Sequence, residues 1–207
     1  MRIGIDFDNT IACYDGVFHA AAVERGLIAA DLATDKNSVR DFLNGSGAAD
    51  AFTELQGYVY GARMDLAAPY AGVVEFVRAA RAAGHAVFVV SHKTRHPMMG
   101  PRHDLHAAAR GFLGAHGITG PGGLIADGDA FFELTKEEKL ARAVALGVDV
   151  FIDDLPEILA MPGWPDGVRR LLFDPDGHCP DGAWRGRTFE RHGSWPALGA
   201  AILGRTA

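Results

Sequence analysis

Arg2 to Ile5 is a short apolar run that ends in Asp6-Phe7-Asp8. It is too short for a helix and has the character of a buried strand that delivers acids at its carboxyl end. From Val73 the apolar residues Val73, Phe76, Val77 and Ala80 fall at i, i+3, i+4 and i+7, which predicts a helix, and Gly84 is placed to stop it. Ala86 to Val90 then reads as a strand ending at Ser91, and Leu105, Ala108, Ala109, Phe112 and Leu113 form one stripe of a second helix that closes near Gly117. Leu124 to Ala126 reads as a short strand. Thr135 and Glu138 have the spacing of a capping box, which opens a helix running to about Leu146 with Gly147 at its stop; Val148 to Ile152 is the strand after it and delivers Asp153 and Asp154.

Strands alternating with helices of this length imply an α/β fold, a Rossmann-like parallel sheet with helices on both faces. Residues 14–68 break the rhythm. They offer helical stripes (Val39, Phe42 and Leu43; Phe52, Leu55 and Val59) and no convincing strand, so they read as a small helical cap on a core made of 1–13 and 69–207. The stretch from Met161 to Pro196 is rich in Pro, Gly and Trp, with one strand expected at Arg170 to Phe173 and a closing helix at Ala197 to Leu203.

Composition narrows the function classes. With 207 residues, 48% hydrophobic and 22% charged, the chain has the profile of an ordinary globular domain with room for an insertion. The formal net charge of −6 gives no basic field to draw it onto a nucleic acid polymer or an anionic membrane. Cys13 and Cys179 are too few for a disulfide framework. The opening residues place carboxylates where a secretory signal needs its apolar run, and no stretch approaches the ~18 apolar residues of a membrane span, so a cytoplasmic location is expected.

The chemistry is expected at the strand ends, which share one edge of a parallel sheet and there form the usual ligand crevice. Asp6 and Asp8 lie two apart on an extended segment and so share a face. In that arrangement Asp6 is the nucleophile that takes a phosphoryl group, and Asp8 the acid for the leaving oxygen and then the base for water. Asp153 and Asp154 would join them, and carboxylates converging this closely repel unless a divalent cation neutralises them; all-oxygen ligation points to Mg²⁺. The expected metal ligands are Asp6, Asp8 through its backbone carbonyl, Asp153, and Asp154 through water. Ser91, His92 and Lys139 are the expected phosphate-binding residues. Lys136 competes with Lys139 for that role.

The set DFDNT, VFVVS, Lys139 and FIDDLPE, in that order, resembles the four motifs of the haloacid dehalogenase (HAD) superfamily of phosphatases. Many members insert a helical cap between the first and second motifs, which fits residues 14–68. The double Asp after Phe151-Ile152, a short helix beyond the lysine, is most similar to the 5′-nucleotidase-like branch. The resemblance implies a phosphomonoesterase acting on a small phosphorylated substrate; the same acids could serve a phosphotransferase or phosphomutase. Each motif alone has a plainer reading as a turn, a helix N-terminus or a solvated charge, and their joint order carries the inference. A noncatalytic receiver-like module would also gather acids at strand ends, but it needs neither Asp8 nor a cap. His92, His96, His103 and His106 lack the ligand spacing of a transition-metal site. Tyr58, Tyr60, Arg63 and Met64 could line a substrate pocket, but most of them read as packing between cap and core.

Overall fold

The computed structural model describes residues 1–179 and 182–204. In chain order the elements are β1 (Arg2–Ile5), β2 (Ala12–Cys13), α1 (Val17–Glu24), α2 (Lys36–Gly45), α3 (Ala49–Gly61), β3 (Ala68–Pro69), α4 (Val73–Ala82) and β4 (Ala86–His92). They continue with α5 (Leu105–Ala115), β5 (Ala130–Glu133), α6 (Lys136–Ala145), β6 (Val150–Asp153), α7 (Pro156–Leu159), β7 (Arg169–Phe173), β8 (Ala183–Trp184), β9 (Arg187–Thr188), β10 (Glu190–His192) and α8 (Trp195–Leu203).

Six strands form a parallel sheet in the order β10-β7-β6-β1-β4-β5. The two apolar faces of β4 separate cleanly. Val87 and Val89 join a cluster with Val73, Phe76 and Phe112, whereas Phe88 and Val90 join one with Ala143, Ile158 and Leu159. Helices α4 and α5 therefore cover one face and α6 and α7 the other, the Rossmann-like α/β arrangement expected from the alternation. Gly4 allows the central strand to fit, since a Cβ there would lie 2.6 Å from the Phe151 ring. No helix among the described residues is long and apolar enough to cross a membrane.

The structure corrects several elements. Leu124 to Ala126 is not a strand: Ile125 donates to the carbonyl of Ile118 in a local turn, and the strand that extends the sheet beyond β4 is Ala130–Glu133. Both segments are short and apolar, so periodicity could not separate them; the aromatic pair Phe131-Phe132 fits a pleated surface better. Val148 belongs to the turn that closes α6, donating to Ala143, so β6 starts at Val150. The closing helix begins at Trp195, because Ser194 caps it by accepting from Ala197.

Helices α1, α2 and α3 follow β2 and precede β3, and β2 pairs antiparallel with β3, so the chain leaves and re-enters the core on adjacent strands. Val39 and Leu43 are buried as their stripe predicted, but Phe42 is 46% exposed. Phe52, Leu55 and Val59 are buried. Helix α3 approaches the loop after β4 so closely that a Cβ on Gly57 would fall 2.5 Å from Pro97 Cβ, and one on Gly61 would collide with His103. These two glycines, one helical turn apart, let backbone meet loop.

Candidate active site

Chain order reverses at β1: the path runs outward through β4 and β5, then returns to build β6 and β7 on the other side. A crevice opens at the carboxyl ends of strands at such a switch point. Asp153 ends β6, Asp6 follows β1 and Ser91 lies near the end of β4, so three neighbouring central strands deliver the site. Asp6 N donates to Ile152 O at 2.9 Å, tying the two acidic strand ends together.

Asp6, Asp153 and Asp154 each offer a carboxylate oxygen, and these oxygens lie within 4.8 Å of one another. Lys139 bridges two of the acids, its Nζ 2.6 Å from Asp6 Oδ1 and 2.6 Å from Asp153 Oδ2. The Thr135–Glu138 capping box sets the start of α6 so that Lys139, Leu140 and Ala143 face inward. Lys136, three residues earlier, instead pairs with Glu157 at 2.8 Å in a half-exposed position.

Burial pushes the Asp6 carboxyl up to about 7, with Asp153 adding to the shift and Lys139 opposing it. Burial raises Asp153 against the pull of Lys139. Asp154 rises well above the usual carboxylate range through burial and the nearby Asp6 and Asp153. Burial disfavours the Lys139 ammonium, but Asp153 and Asp6 outweigh it and raise this lysine. Asp6 and Asp153 thus share one buried cation, with Asp154 close beside them.

An acid whose native pKa is raised binds more protons folded than unfolded, so its stabilising effect is present at low pH and is lost as pH rises through the native value. For Asp6 that window runs from 3.8 to about 7. In EDTA, the urea midpoint of the wild-type protein should fall relative to Asp6→Asn as pH rises across this window. A difference that stays flat or grows in favour of the wild type would contradict it.

Asp8 is held apart from the trio. Lys93 Nζ donates to both its oxygens at 2.8 Å, and Tyr14 donates to Oδ1 at 2.5 Å. Lys93 and Tyr14 are both buried, and Tyr14 Oη also lies 3.4 Å from Met64 Sδ at the chain's return from the helical insertion. Thr10 Oγ1 lies 3.5 Å from Asp154 Oδ1, and the Thr10 carbonyl accepts from the indole of Trp195, which buttresses the loop after β1.

Ser91 Oγ is buried and has no hydrogen-bond partner among the described residues. Buried hydroxyls are normally satisfied, so this one is disposed to serve a ligand. His92 is not brought to the cluster; its Nε2 lies 3.1 Å from Leu134 O, on the other side of the strand. The other histidines act within the loop: His106 Nε2 lies 2.7 Å from Lys93 O and His96 Nδ1 3.0 Å from His103 O.

No family model and no curated protein matches the sequence. Solved structures do. A predicted phosphatase from Clostridium acetobutylicum superposes with a TM-score of 0.62 at 12% identity, covering 99% of this chain and 98% of that one. A HAD family hydrolase from Deinococcus radiodurans R1, crystallised with phosphate and sodium, gives 0.58 at 18% identity over 98% and 94%. A HAD-superfamily hydrolase from Ehrlichia chaffeensis gives 0.55 at 12% over 98% and 95%. The fold is that of the HAD-superfamily hydrolases.

By sequence, Lys93 belongs to the cationic segment Ser91 to His96 that could read the rest of an anionic substrate; in this HAD fold it instead holds Asp8, as does Tyr14, to which sequence gives no role. The signal for Lys93 was available: it lies two residues beyond Ser91, so the alternation that puts Asp6 and Asp8 on one face puts Ser91 and Lys93 together and turns His92 away. Tyr14 carried no local signal, because its partner is set by how the chain enters the insertion. The donor set suits a hard divalent cation. It is all carboxylate oxygen, and the acids Asp6, Asp8, Asp153 and Asp154 exceed the buried ammonium groups Lys93 and Lys139 by two charges.

Proposed function

We propose that the chain is a Mg²⁺-dependent phosphatase that hydrolyses a small soluble phosphomonoester through an aspartyl-phosphate on Asp6. The observation that carries this reading is the division of labour among the acids: Asp6, Asp153 and Asp154 gather round Lys139, while Asp8 is set aside with its own donors, Lys93 and Tyr14. Residues 14–68 serve as the cap and the remainder as the core, and a cytoplasmic location accords with the two cysteines. The paired acids after β6 favour the 5′-nucleotidase-like branch.

In the first step an oxygen of Asp6 attacks phosphorus, the bond from phosphorus to the leaving oxygen breaks, and Asp8 transfers its proton to that oxygen. In the second, Asp8 takes a proton from water as the water oxygen attacks phosphorus; the Asp6–phosphorus bond breaks, phosphate leaves and Asp8 is protonated again. Lys93 and Tyr14 hold Asp8 toward the leaving group. Ser91 Oγ and Lys139 Nζ donate to phosphoryl oxygens. Asp6, Asp153, the Asp8 backbone carbonyl and, through water, Asp154 would hold Mg²⁺, which would neutralise charge between carboxylate and phosphate.

Phosphate release from a broad panel of phosphomonoesters should require Mg²⁺ and stop in EDTA. Full turnover without a divalent cation would refute the metal dependence, and transfer to added alcohols in preference to water would assign the site to a phosphotransferase.

A further inference from the structure

The chain contains four lysines against sixteen arginines. Three of them end on carboxylates: Lys93 on Asp8, Lys139 on Asp6 and Asp153, and Lys136 on Glu157. Lys36 does not. From the first turn of α2 its Nζ donates to Tyr60 Oη at 3.0 Å and lies 4.7 Å from the Phe18 ring centroid and 5.6 Å from that of Tyr60. No carboxylate among the described residues lies within ion-pair distance of it. Burial lowers its pKa, and the fields of Asp8 and Asp154 only partly restore it.

A partly desolvated cation without a counter-ion is unfavourable, and aromatic faces offset only part of that. The surroundings indicate what completes it. A cavity of about 740 Å³ is lined by Asn9 and Asp154 from the core and by Lys36, Asn37 and Arg40 from α2. Of the acids elsewhere on its rim, Glu157 pairs with Lys136, Asp174 with Arg191, and Asp35 caps α2; Asp15 and Asp176 line it as well. The cavity adjoins the catalytic acids through Asp154 and has room for a leaving group.

We propose that Lys36 binds a second anionic group on the substrate, a carboxylate or a second phosphoryl group carried by the leaving group. The proposal rests on the phosphatase reading for the identity of the reacting group, and it narrows the substrate to phosphomonoesters with two anionic ends. A charge-assisted hydrogen bond from a half-desolvated ammonium is strong enough to discriminate such a substrate from one with a neutral tail.

Non-hydrolysable phosphonates test this without turnover. Calorimetry would compare ethylphosphonate, phosphonopropionate and ethylenebisphosphonate on the wild-type protein with Mg²⁺. At least one doubly anionic ligand should bind about tenfold more tightly than ethylphosphonate, and the one that gains distinguishes carboxylate from phosphoryl recognition. In Lys36→Met that ratio should collapse toward one, and Lys36→Arg should retain part of it; circular dichroism of both variants checks their folding. The proposal is overturned if neither doubly anionic ligand is preferred, if none of the three binds, or if the preference survives Lys36→Met. Failure of the phosphatase reading would register separately, as absence of Mg²⁺-dependent phosphate release.

Discussion

Asp6→Asn should lower phosphate release by about 10⁴-fold or more while leaving the protein folded. The amide has nearly the shape of the carboxylate but cannot attack phosphorus. Its effect on stability should be small or favourable in the absence of metal. Asp6 shares Lys139 with Asp153 beside Asp154, and its carboxyl is already driven up to about 7 by burial. Removing its charge relieves repulsion and leaves Lys139 paired with Asp153 at 2.6 Å. Steady-state rates beside a thermal melt in EDTA separate the two effects. Lost activity with an unchanged or raised melting temperature is the expected result; retained activity would exclude Asp6 as the nucleophile.

Lys139→Met should show the opposite balance, with a large loss of stability as well as activity. The lysine is nearly fully buried and is the direct cation partner of both Asp6 and Asp153. Deleting one member of a buried ionic cluster strands the others, typically at about 3–5 kcal/mol. Two dependences distinguish this cause from lost packing. The destabilisation measured by urea unfolding in EDTA should shrink as pH falls toward the carboxylate range, because protonated acids no longer need the cation. It should also shrink on adding Mg²⁺, which takes over part of the neutralisation. A loss independent of both pH and Mg²⁺ would assign Lys139 a packing role only.

Much of the fold was legible because its central strands end in chemistry that periodicity does not hide. Arg2–Ile5 is apolar up to Asp6, and the strand before Ser91 and the capping box before Lys139 each carry a strong local signal. What escaped was set by tertiary pairing. Ala130–Glu133 and Leu124 to Ala126 are equally short and apolar, and the choice between them depends on which reaches the open edge of β4. Phe42 shares its helical stripe with Val39 and Leu43, yet only those two are buried. In the site, Asp6, Asp153, Asp154 and Lys139, which the structure brings together, were pointed to by the order of the resembled motifs, whereas the clamp on Asp8 joins residues 8, 14 and 93 across three separate segments. His92 was grouped with Ser91 by proximity in sequence, and strand alternation separates them.

In this mechanism a phosphoryl group resides on Asp6 during turnover. Acid quenching in the steady state, borohydride reduction of acyl phosphates and peptide mass spectrometry would locate it. Reduction at Asp6, dependent on substrate and Mg²⁺, is the expected outcome; reduction confined to another acid, or none during active turnover, would rule the aspartyl-phosphate on Asp6 out.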